Sequence, residues 1–225
     1  MRLPNDSERL LIIGKTGSGK TQAAVWHLSK RFGRIPWVIF DYKGDGLIKD
    51  IYGLKEINSA SEIEKNGIYA YRPGVDSDDV TENFLMDLWL RGNVGLFFDE
   101  AYMLPNSKAV RAIATQGRSK TMPMIILTQR PVWISRFFLS EADYMQFFRV
   151  NDERDLKTLR GFMPSEIETP IDKYHSWYYD VADDEIMELS PVPERETILA
   201  SFMPDSPDDE PDLNSEIDRH RLNYL

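Results

Sequence analysis

A glycine-rich segment near the start of the chain has the residue types and spacing that bind phosphate groups. Residues 14–21 read GKTGSGKT, which fits the pattern G-x-x-x-x-G-K-[ST] in full. Its glycines let backbone amides converge on phosphate oxygens, and a helix starting here would add a favourable dipole. The pattern predicts that Lys20 contacts the β- and γ-phosphates of a nucleotide and that the Thr21 hydroxyl ligates Mg²⁺. The residues predicted to bind the nucleotide are Gly14, Lys15, Thr16, Gly17, Ser18, Gly19, Lys20 and Thr21.

Two adjacent carboxylates supply the complementary chemistry. Asp99 and Glu100 follow the apolar run GLFF. At the end of a buried strand, Asp99 is placed to complete the metal shell, and Glu100 is placed to polarise an attacking water. A kinase of small molecules has no need of the second acid, so Glu100 favours hydrolysis.

A polar side chain ends a further apolar run. Gln129 stands in the segment ILTQRP. At a strand end beside the phosphate loop it would contact the γ-phosphate or the water and so sense the nucleotide. From spacing alone, a solvated polar residue that merely ends a strand is an equal alternative.

Apolar runs and amphipathic segments alternate along the first two thirds of the chain. A strand with one solvent-exposed face would alternate apolar and polar residues, whereas these runs are continuous. They are typical of parallel strands covered on both sides. We therefore predict a three-layer α/β fold with a mainly parallel central sheet. The predicted strands are RLLIIG, WVIFDY, GIYAYRPG, VGLFFDE, MPMIILTQ and YMQFFRV, and the predicted helices cover 19–32, 76–91 and 106–118.

The last third of the chain has a different pattern. KYHSWYYDVADDEIMEL predicts a β-hairpin at about 170–190, and proline and acidic residues dominate after Pro191. We predict an ATPase domain over 1–193 and an acidic, flexible tail over 194–225. The tail is either a solubilising extension or a docking segment anchored by the terminal HRLNYL.

Charge and hydropathy limit the classes of function. The net charge is −10, and the segment 205–218 holds seven acids and no base. The remainder, at about −3, is compatible with a local basic surface for nucleic acid. No apolar run approaches the roughly 18 residues of a membrane helix, and the N-terminus lacks the apolar stretch of a secretory signal. These features predict an intracellular protein without an integral membrane segment.

Four segments together resemble a known superfamily. GKTGSGKT, FDYKGD, FFDEA and TQGRSKTMPMIILTQRP are similar to the FtsK/HerA superfamily of P-loop motor ATPases, over about residues 10–150. Within it, the chain most resembles the genome-packaging ATPases of tailless, internal-membrane phages of the tectivirus kind. The resemblance implies a RecA-like P-loop NTPase fold with an additional strand, ATP hydrolysis with Mg²⁺, and a ring of identical subunits, as a hexamer. It also implies translocation of double-stranded DNA, without sequence specificity, into a preformed capsid.

The resemblance also implies partners and a place of action. A packaging motor attaches to portal-vertex proteins, so we expect the protein in the host cytoplasm during assembly and at the packaging vertex of the virion. In the superfamily an arginine ahead of the sensor strand reaches the neighbouring subunit's ATP, and Arg118 occupies that place. From sequence alone, an arginine there is more often a solvated helix cap. Arg130 is a competing candidate, and Arg149 and Arg154 are weaker ones.

Other basic and aromatic residues have less specific signals. Asp41 and Lys43 either lie near the nucleotide or brace the sheet. The aromatic side chains of PVWISRFFLS are expected to pack onto the sheet rather than to stack on bases. Loops that grip a DNA backbone need lysine and arginine, and the candidates are Lys108, Arg111, Arg118, Lys120 and Arg136.

Two other classes of function remain open from the sequence. One is an assembly ATPase resembling the zonula-occludens-toxin-like proteins of filamentous phages, which serve virion extrusion and usually include a transmembrane segment. The other is a nucleotide-dependent switch or small-molecule kinase that shares the phosphate loop. The absence of a membrane-length apolar run counts against the first, and Glu100 and Gln129 count against the second.

Overall fold

The fold is built around one β-sheet. The computed structural model describes residues 2–64, 66–74 and 76–204, and the sheet has nine strands within these residues. They are β1 (Arg9–Ile13), β2 (Trp37–Asp41), β3 (Lys55–Glu56), β4 (Ile68–Tyr71), β5 (Gly95–Asp99), β6 (Met124–Thr128), β7 (Tyr144–Phe147), β8 (Ser176–Asp180) and β9 (Glu185–Leu189).

The strand order is β3-β4-β2-β5-β6-β1-β7-β8-β9. The first seven strands in this order pair in parallel, and β8 and β9 pair antiparallel at one end. The predicted mainly parallel sheet and C-terminal hairpin are therefore confirmed. The predicted additional strand is β6, which separates β1, the strand before the phosphate loop, from β5, the strand that ends in Asp99.

Helices cover both faces of the sheet. They are α1 (Lys20–Ser29), α2 (Gly46–Lys49), α3 (Asp78–Arg91), α4 (Lys108–Gln116), α5 (Arg136–Ser140), α6 (Glu153–Leu159) and α7 (Arg195–Ala200). One hydrophobic core joins the sheet to α3, α4 and α5, and a second joins its other face to α1, α2 and α7. The central strands are buried throughout because both faces are covered, which confirms the three-layer α/β prediction.

The predicted helices are longer than the observed ones. The segment predicted as a helix over 19–32 forms α1 only from Lys20, because Gly19 has a left-handed backbone (φ 96°). The segment 106–118 starts its helix at Lys108, where the Ser107 side chain accepts a hydrogen bond from the Val110 amide. Its end changes at residue 117 into a 3₁₀ turn, Gly117–Lys120.

The predicted domain boundary at residue 193 needs correction. Residues 194–204, assigned from sequence to a flexible tail, include α7, in which Ile198 is buried. Phe202 is also buried, and its ring lies 4.9 Å from that of Phe32, just after α1. Apolar contacts of α7 and Phe202 with α1 and Phe32 thus extend the folded domain to Phe202. Residues 205–225, with the predicted acidic tail and terminal HRLNYL, lie outside the described residues.

Candidate active site

The phosphate loop connects β1 to α1. Gly17 and Gly19 have left-handed backbones (φ 77° and 96°), which glycine adopts without steric cost. A Cβ on Gly14 would lie 2.5 Å from the Ser18 hydroxyl oxygen and 2.7 Å from Cβ of Phe148, so only glycine fits there. The loop therefore leads into the N-terminus of a ten-residue helix, and backbone amides at such a position bind anions.

Glu100 lies directly beside this loop. Its side chain is fully buried, and its backbone is left-handed (φ 63°, ψ 63°), a conformation that costs energy in a residue other than glycine. The ammonium of Lys20 lies 3.2 Å from Glu100 Oε1, and Lys43 forms an ion pair with the same oxygen. The structure thus brings the predicted phosphate-binding lysine and the predicted water-activating acid into contact.

Asp99 has the surroundings of a residue that binds a cation. It is 1% exposed, and neither carboxylate oxygen has a hydrogen-bond partner among the described residues. Burial, followed by the charge of Glu100, raises the pKa of Asp99 to about 7. A divalent cation at these oxygens would favour the ionised form, so the donor set fits Mg²⁺. Thr21, the other predicted ligand, lies half-buried in the first turn of α1.

Gln129, which directly follows β6, contacts the phosphate loop. Its Oε1 accepts a hydrogen bond of 2.8 Å from the Thr16 hydroxyl, and its Nε2 donates one of 3.1 Å to the Tyr102 hydroxyl. These contacts argue against a merely solvated strand end. Sequence reasoning missed Tyr102, although it follows the acid pair by two residues.

Asp41 and Lys43, whose roles the sequence left open, have different surroundings. Asp41 is buried and accepts hydrogen bonds from Arg72 Nε at 3.0 Å and from the Asp45 amide at 2.9 Å, so it braces the end of β2. Lys43 instead reaches Glu100. Burial lowers the pKa of Lys43, but the hydrogen bond and charge of Glu100 outweigh it, so its pKa is raised and the ammonium stays charged.

The arginine candidates lie at opposite ends of the parallel strands. Arg118 forms an ion pair with Asp143, which precedes β7, so it lies at the N-terminal ends of the strands, away from the phosphate loop. Its side chain is more than half exposed. Arg130 follows β6 at the end near the loop, but Asp152 and Asp155 hold it at 3.3 and 3.1 Å. The weaker candidates Arg149 and Arg154 are exposed.

The aromatic segment after β6 corrects one prediction. Phe138 is buried, as expected for packing onto the sheet, but Trp133 and Phe137 are 61% and 40% exposed. The Trp133 ring packs edge-to-face with Tyr102, and the guanidinium of Arg130 lies over it. The packing prediction is therefore wrong for Trp133 and Phe137.

The DNA-contact candidates are spread over several elements. Lys108, Arg111 and Arg118 are exposed along α4 and the turn that follows it. Lys120 lies over the Trp89 ring, and the exposed Arg136 lies over the Phe162 ring. No helix among the described residues combines the length and apolar character needed to cross a membrane.

Comparison with known proteins places the site in a family. The chain is 44% identical over 215 residues to the DNA packaging ATPase P9 of Enterobacteria phage PRD1, covering 90% of this chain and 95% of P9. The chain belongs to this family. Membership confirms the predicted resemblance and the predicted class of enzyme, an ATPase of genome packaging. No model of a known protein family matches the chain.

Solved structures support the fold of this packaging ATPase. The genome packaging NTPase B204 of Sulfolobus turreted icosahedral virus 2, in complex with AMPPCP, superposes with a TM-score of 0.70 at 22% identity, over 84% of this chain and 100% of that one. The pCW3 conjugation coupling protein TcpA with ATPγS gives a TM-score of 0.57 at 14% identity, over 86% of this chain and 64% of that one. At these identities the likeness extends to the fold.

Proposed function

We propose that this packaging ATPase hydrolyses ATP to translocate double-stranded DNA into a preformed viral capsid. The observation that carries the proposal is the meeting of Lys20, Asp99 and Glu100 at one end of the sheet, in a chain 44% identical to a phage DNA packaging ATPase. Exposed lysines and arginines bind DNA through its phosphate groups, and such contacts do not depend on the base sequence. The motor works as a ring, as a hexamer, on portal-vertex proteins.

Each residue at the site has a proposed task. The loop amides, Lys20 and the Thr21 hydroxyl hold the phosphates, and Thr21 and Asp99 are the residues that would hold Mg²⁺. When bound, Mg²⁺ neutralises charge on the β- and γ-phosphates. Glu100 accepts a proton from water as the water oxygen bonds to the γ-phosphorus, and the bond from that phosphorus to the leaving ADP oxygen breaks. Gln129 senses the γ-phosphate through its contact with the loop.

The proposed place of action follows from the proposed packaging function. Assembly takes place in the host cytoplasm, and the motor then occupies the packaging vertex of the virion.

DNA-stimulated hydrolysis tests this function. We expect steady-state ATP turnover by the full chain to rise when double-stranded DNA is added, and the stimulation to fall as salt rises, because backbone contacts release counterions. Phosphate release with and without DNA, at two salt concentrations, measures this. ATP turnover that does not change when DNA is added would contradict the proposed DNA-translocating motor and favour the extrusion ATPase or the switch.

Arg118 is the proposed residue that acts between subunits. It is exposed and lies at the N-terminal ends of the strands, opposite its own phosphate loop, so within its own subunit it does not reach the nucleotide. A cation in trans stabilises charge on the transferring phosphoryl group. We expect Arg118→Ala to lower turnover by about 10³-fold or more, the effect of removing an arginine finger.

Mixing two inactive variants distinguishes action in trans from a local role. In a mixed ring, an Arg118→Ala subunit keeps Glu100, and a neighbouring Glu100→Gln subunit supplies Arg118, so some interfaces are complete. We expect the mixture to recover part of the parent turnover, although each variant alone is inactive. Arg91→Ala, at the exposed end of α3, is the matched control and should turn over like the parent. No recovery on mixing would contradict action of Arg118 in trans.

A further inference from the structure

The two oxygens of the Glu100 carboxylate have unequal surroundings. Oε1 is shared by the ammonium groups of Lys20 and Lys43. Oε2 is buried and has no hydrogen-bond partner among the described residues. A buried carboxylate is costly unless it is paired, so the lysines at Oε1 offset the cost of burying this charge. The unpaired Oε2 is the oxygen left to accept a proton from water.

One of the two lysines has a second task. Lys20 belongs to the phosphate loop and is almost fully buried, at 6% side-chain exposure, so its ammonium is within the site that the phosphates enter. Once phosphate oxygens compete for that ammonium, Lys20 no longer serves Glu100 alone. Lys43 stands outside the loop, on the segment after β2, and has no such competing task.

The backbone holds Lys43 at the right place for this. Strands β2 and β5 are neighbours, with Asp41 directly opposite Asp99, so Lys43 and Glu100 follow two adjacent strand ends. Asp41 fastens the turn after β2 by accepting from the Asp45 amide and from Arg72. Nearly half of the Lys43 side chain is exposed, yet its ammonium reaches a carboxylate that is fully buried.

We propose that Lys43 is a positioning residue that holds Glu100 Oε1 throughout the ATPase cycle. It keeps the carboxylate oriented while Lys20 contacts the phosphates, and it thereby directs Oε2 toward the attacking water. This inference rests on the proposed role of Glu100 in hydrolysis. It assigns to the lysine of the FDYKGD segment a function that neither strand position nor composition reveals.

The test replaces the ammonium while keeping the length of the side chain. We expect Lys43→Met in the full chain to lower kcat by about 10- to 100-fold, the usual loss when a group that orients a reacting side chain is removed. The KM for ATP and the affinity for a fluorescent ATP analogue should change by less than about threefold, since the phosphates keep Lys20. Lys43→Arg should recover part of the lost kcat because it restores the ion pair.

Two controls separate this role from a structural one. Lys55→Met removes a lysine that also pairs with a glutamate, Glu64 at 2.7 Å, on an exposed edge strand, and should leave kcat and KM unchanged. In a Glu100→Gln background, Lys43→Met should cause no further loss of single-turnover rate, because two residues that act through one group are not additive. Melting temperatures of all variants show whether the fold is retained.

The outcomes are distinct. A rise in kcat for Lys43→Met would mean that Lys43 restrains Glu100 instead of positioning it, and would overturn the inference. A rise in KM at constant kcat, or a further loss in the Glu100→Gln background, would assign Lys43 to the phosphates and overturn it as well. Normal turnover by Glu100→Gln alone would instead remove the proposed role of Glu100, and the positioning role would fall with it.

Discussion

Glu100→Gln protein should bind ATP at least as tightly as the parent and hydrolyse it at least about 100-fold more slowly, as expected for the loss of a general base. The substitution keeps the shape of the side chain and its left-handed backbone but removes the acceptor for the water proton. It also removes a negative charge beside Lys20 and Lys43, which leaves both ammonium groups freer to attract phosphate oxygens. Single-turnover phosphate release and equilibrium binding of a labelled nucleotide measure the two effects separately.

A matched glutamate provides the control for this prediction. Glu64→Gln removes an exposed carboxylate that also pairs with a lysine, and both turnover and binding should match those of the parent. If Glu100→Gln lost binding together with turnover, the carboxylate would be needed to hold the site together rather than to activate water. If it kept turnover, water activation would belong to another residue.

The sequence predicted the layers of the fold because burial on both faces leaves a local pattern. Each central strand is a continuous apolar run, and that pattern is typical of parallel sheets. The edge strand β3 has no such pattern, since its two residues, Lys55 and Glu56, are charged and exposed. Strand order was accessible only through the resemblance, because pairing across the sheet depends on contacts far apart in sequence.

The C-terminal boundary shows how composition misleads. Proline and acidic residues after Pro191 predicted a flexible tail, yet Ile198 in α7 and Phe202, two residues after its end, lie four residues apart in sequence and both are buried. This spacing is a helical signal, and the charged residues around it masked that signal. Similarly, Trp133 and Phe137 were expected to be buried for their hydrophobicity, but both are exposed, and Trp133 contacts Tyr102 and Arg130.

The candidate site was predicted in its parts rather than in its contacts. The phosphate loop and the acid pair are local patterns, so spacing was enough to identify Lys20, Asp99 and Glu100 as candidates. The contact between Lys43 and Glu100 depends on β2 lying beside β5, which no local pattern specifies. The bond from Gln129 to Thr16 similarly depends on β6 lying beside β1. The unpredicted contacts are thus those made between neighbouring strand ends.

Lys20→Ala should have the opposite balance of effects from Glu100→Gln. A hydrogen bond to a charged group contributes about 1.5–3 kcal/mol, so we expect the affinity for ATP to fall by about 10- to 100-fold. Turnover should also fall by about 10²- to 10³-fold even at saturating ATP, because the ammonium stabilises charge on the transferring phosphoryl group. Equilibrium binding and phosphate release, measured as for Glu100→Gln, give both values.

The fold should survive the loss of Lys20 because Lys43 still pairs with Glu100, so the melting temperature should stay close to that of the parent. Lys30→Ala, at the exposed C-terminal cap of the same helix, is the control and should bind and hydrolyse ATP normally. If Lys20→Ala bound ATP like the parent, the ammonium would serve Glu100 rather than the phosphates. The proposed roles of the two lysines would then be exchanged, with Lys20 positioning Glu100 and Lys43 contacting the nucleotide.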